Sequence, residues 1–315
     1  MKKGLIVFLV ILAVAAAAFV AVMVALNWDF TKLSTVEYET NRYELTDGFR
    51  SISILTDVAD VTFVKSDNAS VECYEIRNMK HQVAVENDTL VVRVNDTRKW
   101  YEHIGIFFGA PKITVNIPGA QYEQLAVETD TGDITASKDF SFLEIRMKSD
   151  TGSVHTESSA TGRIKLTTST GHIFAGNLSA GSLEITSSTG NQKVENVTVT
   201  EDVENEVSTG KTTLKNITCR NLTADGDTGD LALRNVLAAG RFELERSTGD
   251  ITFDKCDAGE LFVETDTGNV KGTLLSEKIF LTETDTGKID VPKSVTGGRC
   301  EISTDTGNIA ISISR

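Results

Sequence analysis

Apolar residues along most of this chain stand at every second position, in short runs separated by one recurring corner. The corner is Thr-Gly, with its Gly at 132, 152, 171, 190, 210, 229, 249, 268, 287 and 307, always 19 or 20 residues apart. Seven residues before each Gly stand Leu125, Ile145, Ile164, Leu183, Val203, Leu222, Phe242, Leu261, Phe280 and Cys300, all apolar. Five before it the column runs from Val127 to Ile302, with Asn205 and Thr282 among its polar exceptions; two after it runs Ile134 to Ile309, with Gln192 and Thr212 as exceptions. Apolar positions two apart are the period of a strand, so each unit reads as strand, corner, strand.

A fixed period near 20 with repeated apolar columns predicts a solenoid whose coils bury their inner faces only by stacking. The expected fold is all-β, a parallel β-helix-like solenoid of about ten to eleven 19–20-residue coils with an N-terminal β cap and one transmembrane helix. A degenerate first coil is expected at residues 52–63, "ISILTDVADVTF", with Ala59 in the Gly position. The period is then interrupted over residues 64–122, where "SVECYEI", "QVAVENDTLVVRV" and "KITVNIP" read as the strands of an inserted cap. The last repeat, "GNIAISISR", has no cap of its own in the sequence, which predicts an uncovered final coil with unpaired edge groups.

Residues 4–26 are 23 residues without a charge, preceded by Lys2 and Lys3 and followed by Trp28. That length spans a bilayer, the lysines favour a cytoplasmic N-terminus, and the indole suits the interface. Ala16 and Ala18 also allow a cleaved signal peptide, but eight further apolar residues make an anchor the better reading. The expected organisation is a cytoplasmic tip at 1–3, a signal anchor at 4–26, a linker at 27–48, first coil plus cap at 49–122 and regular repeats at 123–315. Both N-terminal readings put the remainder outside the cytoplasm, and the anchor reading makes it a single-pass protein of the cell membrane with its C-terminal domain extracytoplasmic.

Composition supports a long ladder: 24 Gly make corners, and only 3 Pro interrupt hydrogen bonding. With Lys2 and Lys3 the only charges before Asp29, the rest of the chain carries 29 basic against 45 acidic residues, a net charge of -16. Such a surface repels nucleic acid and anionic headgroups, so nucleic acid is not an expected partner.

The corner also spells Asp-Thr-Gly, the tripeptide of aspartic proteases, at Asp130, Asp150, Asp227, Asp266, Asp285 and Asp305. Four other corners have Ser in its place (Ser169, Ser188, Ser208 and Ser247), and Ser cannot share a proton as a catalytic carboxylate does. What Asp and Ser have in common is a short oxygen that can bond nearby backbone N–H groups, so turn chemistry is expected.

Four residues before the corner Gly, Glu128, Glu206, Asp225, Glu245, Glu264 and Glu283 share outward parity with the motif aspartates. The pairs Glu264 with Asp266 and Glu283 with Asp285 are expected on neighbouring coils, and with Asp305 they form the one weak candidate for calcium; no other metal or cofactor is expected. Cys73, Cys219, Cys256 and Cys300 read as free buried thiols, with Cys256 in a column that also holds Leu275, and His81, His103, His155 and His172 fall out of column with them, so a zinc site is not expected. The stretch Trp100–Gly109 is rich in apolar side chains. Its Trp100, Tyr101, Ile104, Ile106, Phe107 and Phe108 read either as a plug over the first coil or as a docking patch near the membrane. Asn-x-[Ser/Thr] matches, among them Asn177, Asn196 and Asn216, are ascribed to an Asn- and Thr-rich composition.

With its [Asp/Ser]-Thr-Gly corners, N-terminal membrane segment and the stretch "KWYEHIGIFFGAPKITVNIP", the chain resembles over residues 50–315 a bacterial family of repetitive β-strand proteins labelled putative adhesins. The resemblance implies a β-solenoid in the cell envelope and transfers no catalytic residue. The expected function is a non-catalytic, membrane-anchored binding or scaffold module that engages an envelope polymer or protein through many shallow contacts. An accessory subunit of an envelope-stress sensor or transporter is the alternative, and a polysaccharide-acting enzyme, which needs one close carboxylate pair, ranks behind both.

Overall fold

The computed structural model describes residues 2–29, 36–96 and 109–314. Its N-terminal helix is Lys2–Ala25. Mean hydropathy over the most apolar 18 residues of Gly4–Ala25 is 3.2, and the helix is long and apolar enough to cross a membrane. It ends where Asn27 and Trp28 turn left-handed, at φ 53° and 59°. The Trp28 N–H then donates to the Met23 carbonyl (2.8 Å) and the Asn27 N–H to the Val24 carbonyl (3.1 Å), satisfying carbonyls of the last turn.

From Tyr38 onward the described residues form a β-solenoid of about ten turns, all its strands linked in one hydrogen-bonded sheet. A representative coil runs through Arg163–Thr170, turns at Gly171, continues through Ile173–Ala180 and enters the next coil at Ser182–Thr189. Neighbouring coils are parallel and in register: Leu125, Ile145, Ile164, Leu183, Val203 and Leu222 are successive cross-coil partners, all buried. A slip of one residue would expose the whole column, so at roughly 1.5–3 kcal/mol per buried side chain the register is firmly set.

The corner is tied by a hydroxyl other than the one the sequence points to. The motif Asp and Ser side chains are exposed. At several corners the residue just before them points inward with a hydroxyl that donates to the corner carbonyl of the adjacent coil: Ser149 to Gly132 O at 2.9 Å, Thr168 to Gly152 O at 2.8 Å, Thr304 to Gly268 O at 3.1 Å; in three coils Val207, Gly226 and Arg246 take this place. Glycine is required by the close approach of stacked corners. Gly190 has φ 140°, and a Cβ there would fall 1.8 Å from the Gly171 carbonyl oxygen.

A second bend in each coil escapes the Thr-Gly alignment. Asn177, Asn196, Asn216 and Asn235 are left-handed, with φ 53°, 56°, 53° and 49°. Their side chains stack, each Nδ2 donating to the Oδ1 one coil back, at 2.9 Å (Asn196 to Asn177), 2.8 Å (Asn216 to Asn196) and 3.0 Å (Asn235 to Asn216). Asn tolerates this backbone better than other residues with a Cβ and also satisfies its neighbour's amide. Three of the Asn-x-[Ser/Thr] matches are therefore bend positions and not a by-product of composition.

The polar exceptions in the apolar columns meet inside the coils. Gln192 Nε2 donates to Ser187 Oγ (2.8 Å) and to Glu206 O (2.6 Å), Asn205 Nδ2 donates to Gln192 Oε1, and Thr212 receives Arg246 Nη2 at 3.2 Å. Arg246 is only 1 % exposed, in the space left by Gly226, where a Cβ would meet Arg246 Nη1 at 2.7 Å. Its Nε has no partner among the described residues. Burial, opposed by the charge of Asp225, lowers the guanidinium pKa to about 10.

Both ends of the stack depart from chain order. The Ser51–Thr56 strand lies between two parallel neighbours, Ile52 pairing with Leu125 on one side and Leu90 on the other. Beyond it the cap is antiparallel: Ser70–Ile76 lies between Tyr38–Glu44 and Lys112–Ile117, and Met79–Glu86 pairs with Thr89–Asp96. At the other end, the last coil is not uncovered. Leu261 pairs with Cys300, and Cys300 pairs with Phe280, so the Gly298–Thr306 strand sits inside and Lys278–Glu283 onward forms the edge. The inserted strands carry Cys300, Ile302, Ile309 and Ile311, all buried, whereas the edge coil has Thr282 and the charged Glu283, Asp285, Lys288 and Asp290 exposed or half-exposed. Placing the more apolar coil inside and the more charged one at the edge buries more surface and discourages strand addition. A further correction concerns Leu275: an irregularity between Phe253 and Cys256 makes Leu274 the partner of Cys256, and Leu275 is 42 % exposed.

Candidate functional site

The first face of each coil, the strand before Thr-Gly, presents two outward columns, six and four residues before the corner. At the cap-proximal end they are mixed in charge: Lys148 Nζ lies 2.7 Å from Glu128 and 3.5 Å from Asp150, and Lys165 Nζ lies 2.7 Å from Glu184. Farther along they become acidic. Glu206, Asp225, Glu245 and Glu264 are consecutive cross-coil partners, flanked in the second column by Glu184, Glu204, Glu243 and Glu301. Among the described residues, Glu206, Asp225, Glu245 and Glu264 make no salt bridge to Lys or Arg.

Strand spacing of about 4.8 Å puts successive carboxylates close enough to repel by about 1 kcal/mol or less in water, which hydration tolerates. Asp225 is the most enclosed of the row. Burial first, and then the neighbouring Glu245 carboxylate, raise its pKa above the ordinary aspartate value, while Arg246 acts in the opposite sense. The face holds shallow clefts: one of about 190 Å³ between Glu204, Glu206, Thr223 and Asp225, another of about 190 Å³ between Glu245, Phe262, Glu264 and Glu301, and one of about 260 Å³ around Arg163, Glu184 and Asp202. Small-molecule sites typically enclose about 300–1,000 Å³, so these clefts suit repeated shallow contacts better than one enclosed ligand.

The predicted acidic residues fall on this face in an altered order. Glu264 and Glu283 are not on neighbouring coils, because Ser303 lies between them as the cross-coil partner of both. Two strand spacings, about 9–10 Å, separate the glutamates, too far for one cation to bind both directly. Asp305 likewise lies between Asp266 and Asp285, and all three are exposed. The column of Glu184, Glu204, Glu243 and Glu301 was missed by the sequence reading, although it has the same parity as the column that was noticed.

Trp100, Tyr101, Ile104, Ile106, Phe107 and Phe108 lie outside the described residues. Next to them in sequence, Gly109 receives a hydrogen bond from Tyr38 Oη at 3.3 Å. It borders a cavity of about 420 Å³ at the cap, lined chiefly by apolar groups that include Val58, Ile76, Met79 and Pro111.

The four cysteines are free and buried. Burial is the main cause that pushes the Cys219 and Cys300 thiols up to about 12 and Cys256 to about 11, so they are inert at neutral pH. Cys73 belongs to the cap, where His81 and Glu75 join it, a proximity that column arithmetic in the repeats could not show.

A family model described as Toastrack DUF4097 matches residues 49–207 and 198–315. Among solved structures, a putative lipid binding protein from Parabacteroides distasonis is 15 % identical with a TM-score of 0.50, covering 89 % of this chain and 98 % of its own. A putative adhesin from the same species is 13 % identical with a TM-score of 0.45, covering 88 % and 98 %. Another from Bacteroides fragilis is 15 % identical with a TM-score of 0.42, covering 88 % and 97 %. At these identities the likeness concerns the fold. No curated protein matches the chain.

Proposed function

The chain belongs to the Toastrack DUF4097 family, and we propose that it is a non-catalytic binding or scaffold module of the cell envelope, anchored by its N-terminal helix with the solenoid outside the cytoplasm. The observation that carries this reading is the row Glu206, Asp225, Glu245 and Glu264, repeated on consecutive coils without basic partners among the described residues. A repeated acidic face suits an extended cationic partner, either a polymer or the Lys- and Arg-rich surface of an envelope protein. Many weak contacts then give avidity without a deep pocket. The same repetition argues against an enzyme, since equivalent carboxylates on successive coils leave no one pair chemically set apart.

The alternative, an accessory subunit of an envelope-stress sensor or transporter, draws support from the apolar cavity at the cap beside Gly109. Crosslinking the full-length protein in its native membranes and mapping the attachment sites separates the two. Attachment along the acidic face supports the scaffold; attachment confined to the cap and helix overturns it in favour of the accessory role.

A further inference from the structure

Three donors of different chemistry meet inside the cap. Cys73 and Glu75 alternate on Ser70–Ile76 and so share its inward face. The chain then reverses through the Ile76–Met79 pair and brings His81 back beside them. One ligand atom from each of the three lies within 4.8 Å of the other two, and all three residues are buried.

The groups around them fix their orientation. His81 Nδ1 is 2.7 Å from Glu75 Oε2, and the His81 N–H donates to the same oxygen at 2.6 Å. His81 Nε2 is 2.8 Å from Thr56 Oγ1, which belongs to the first coil. Asn41 Nδ2 donates to Glu75 Oε1 at 2.7 Å, and the Tyr43 hydroxyl donates to the His81 carbonyl at 3.1 Å.

We propose that Cys73, Glu75 and His81 bind one zinc ion that clamps together the two strands of the cap hairpin, beside the first coil. Thiolate, imidazole and carboxylate together form a borderline donor set suited to zinc, whereas calcium and magnesium take oxygen ligands. Two anionic ligands and a neutral imidazole balance the charge of a divalent ion, so the occupied site carries no net charge into the core. With Nδ1 on the metal, the Nε2–H donates to Thr56, and Asn41 holds the carboxylate; such outer partners are what keep a ligand histidine and carboxylate in place. Three protein ligands leave a fourth position for water. Binding displaces the Cys73 proton to solvent and forms the sulfur–zinc bond. Among the described residues no other group of His, Cys, Asp and Glu side chains gathers in this way, so this cluster is distinct from the rest of the fold.

The test uses the full-length protein produced in zinc- or cobalt-supplemented cells and purified in detergent, because a buried site is loaded as the chain folds. The expected result is about one metal per chain, a thiolate-to-cobalt charge-transfer band in the cobalt form, and a lower melting temperature after chelation. Cys73→Ser abolishes the band, and the isosteric Glu75→Gln lowers metal retention by more than the roughly 10–100-fold that loss of an outer partner costs, while leaving the strand content unchanged. Metal well below stoichiometric amounts in the unaltered protein, or content that neither substitution lowers, overturns the proposal.

Discussion

Replacing Gly190 by Ala should break the stack locally, and the size of the effect follows from the corner geometry. The added Cβ would lie 1.8 Å from the Gly171 carbonyl oxygen, a backbone atom that cannot swing away. Relief requires the two corners to separate by more than about 1 Å. That stretches the bonds that stitch these two corners together, Gly171 N to Thr189 O at 2.9 Å and Ile173 N to Asn191 O at 3.1 Å. Loss of two such bonds at about 1 kcal/mol each, added to about 1–2 kcal/mol for a non-glycine residue at φ 140°, gives a destabilisation of about 3–4 kcal/mol. Because each coil contacts only its neighbours, the damage should centre on residues 171–210. The assay is denaturant unfolding of the full-length protein in detergent with hydrogen exchange read by mass spectrometry. Gly48→Ala is the control, since nothing lies within 4 Å of a Cβ there. A Gly190→Ala protein within about 0.5 kcal/mol of the parent would refute the close-packed corner.

Asn216→Ala should cost about 1–3 kcal/mol, from a left-handed φ of 53° and two ladder hydrogen bonds, and Asn216→Gly should recover part of it; unfolding midpoints decide. Arg246→Met should be neutral or stabilising, because the guanidinium is buried with an unpartnered Nε and a pKa lowered to about 10. Since folding disfavours its charged form, the cost of burying the arginine is fully present below about pH 10 and fades only as pH rises from there toward its ordinary, higher value, so the gain from Arg246→Met should be largest at neutral pH in thermal melts. The buried thiols have the opposite consequence at high pH: folded values of about 11–12 against an ordinary 9.0 mean that their contribution is intact below about pH 9 and is lost as pH rises through about 12. Alkaline unfolding should therefore soften in Cys300→Ala, and a thiol reagent at pH 8 should label the native solenoid slowly and the unfolded chain fully.

The solenoid was legible because an alternating apolar column is both a sequence pattern and the physical reason the coils stack. Leu125 through Leu222 stand in the predicted order and are buried. The asparagine bend was also written in the sequence, six residues after the corner, but a polar column reads as surface until its φ is known. Coil order at the ends was not legible. A strand matched to a repeat pattern fits either neighbour, and only the competition for burial between the apolar 300–313 segment and the more charged 278–290 segment selects the arrangement. For the same reason Glu264 and Glu283 were paired wrongly. The Cys73, Glu75 and His81 cluster depends on an antiparallel hairpin outside the repeat, where the 19–20-residue arithmetic has no force.

The proposed function has binding distributed along the acidic face. Its most direct test is to change Glu206, Asp225, Glu245 and Glu264 to Gln or Asn, one at a time and then together. Capture of envelope partners by the full-length protein in native membranes is then quantified at low and high salt. The expected result is a small loss for each single change, a loss that grows with every carboxylate removed, and weakening of the parent's binding by salt. Undiminished, salt-insensitive capture with all four changed, or complete loss from any one change, would contradict it.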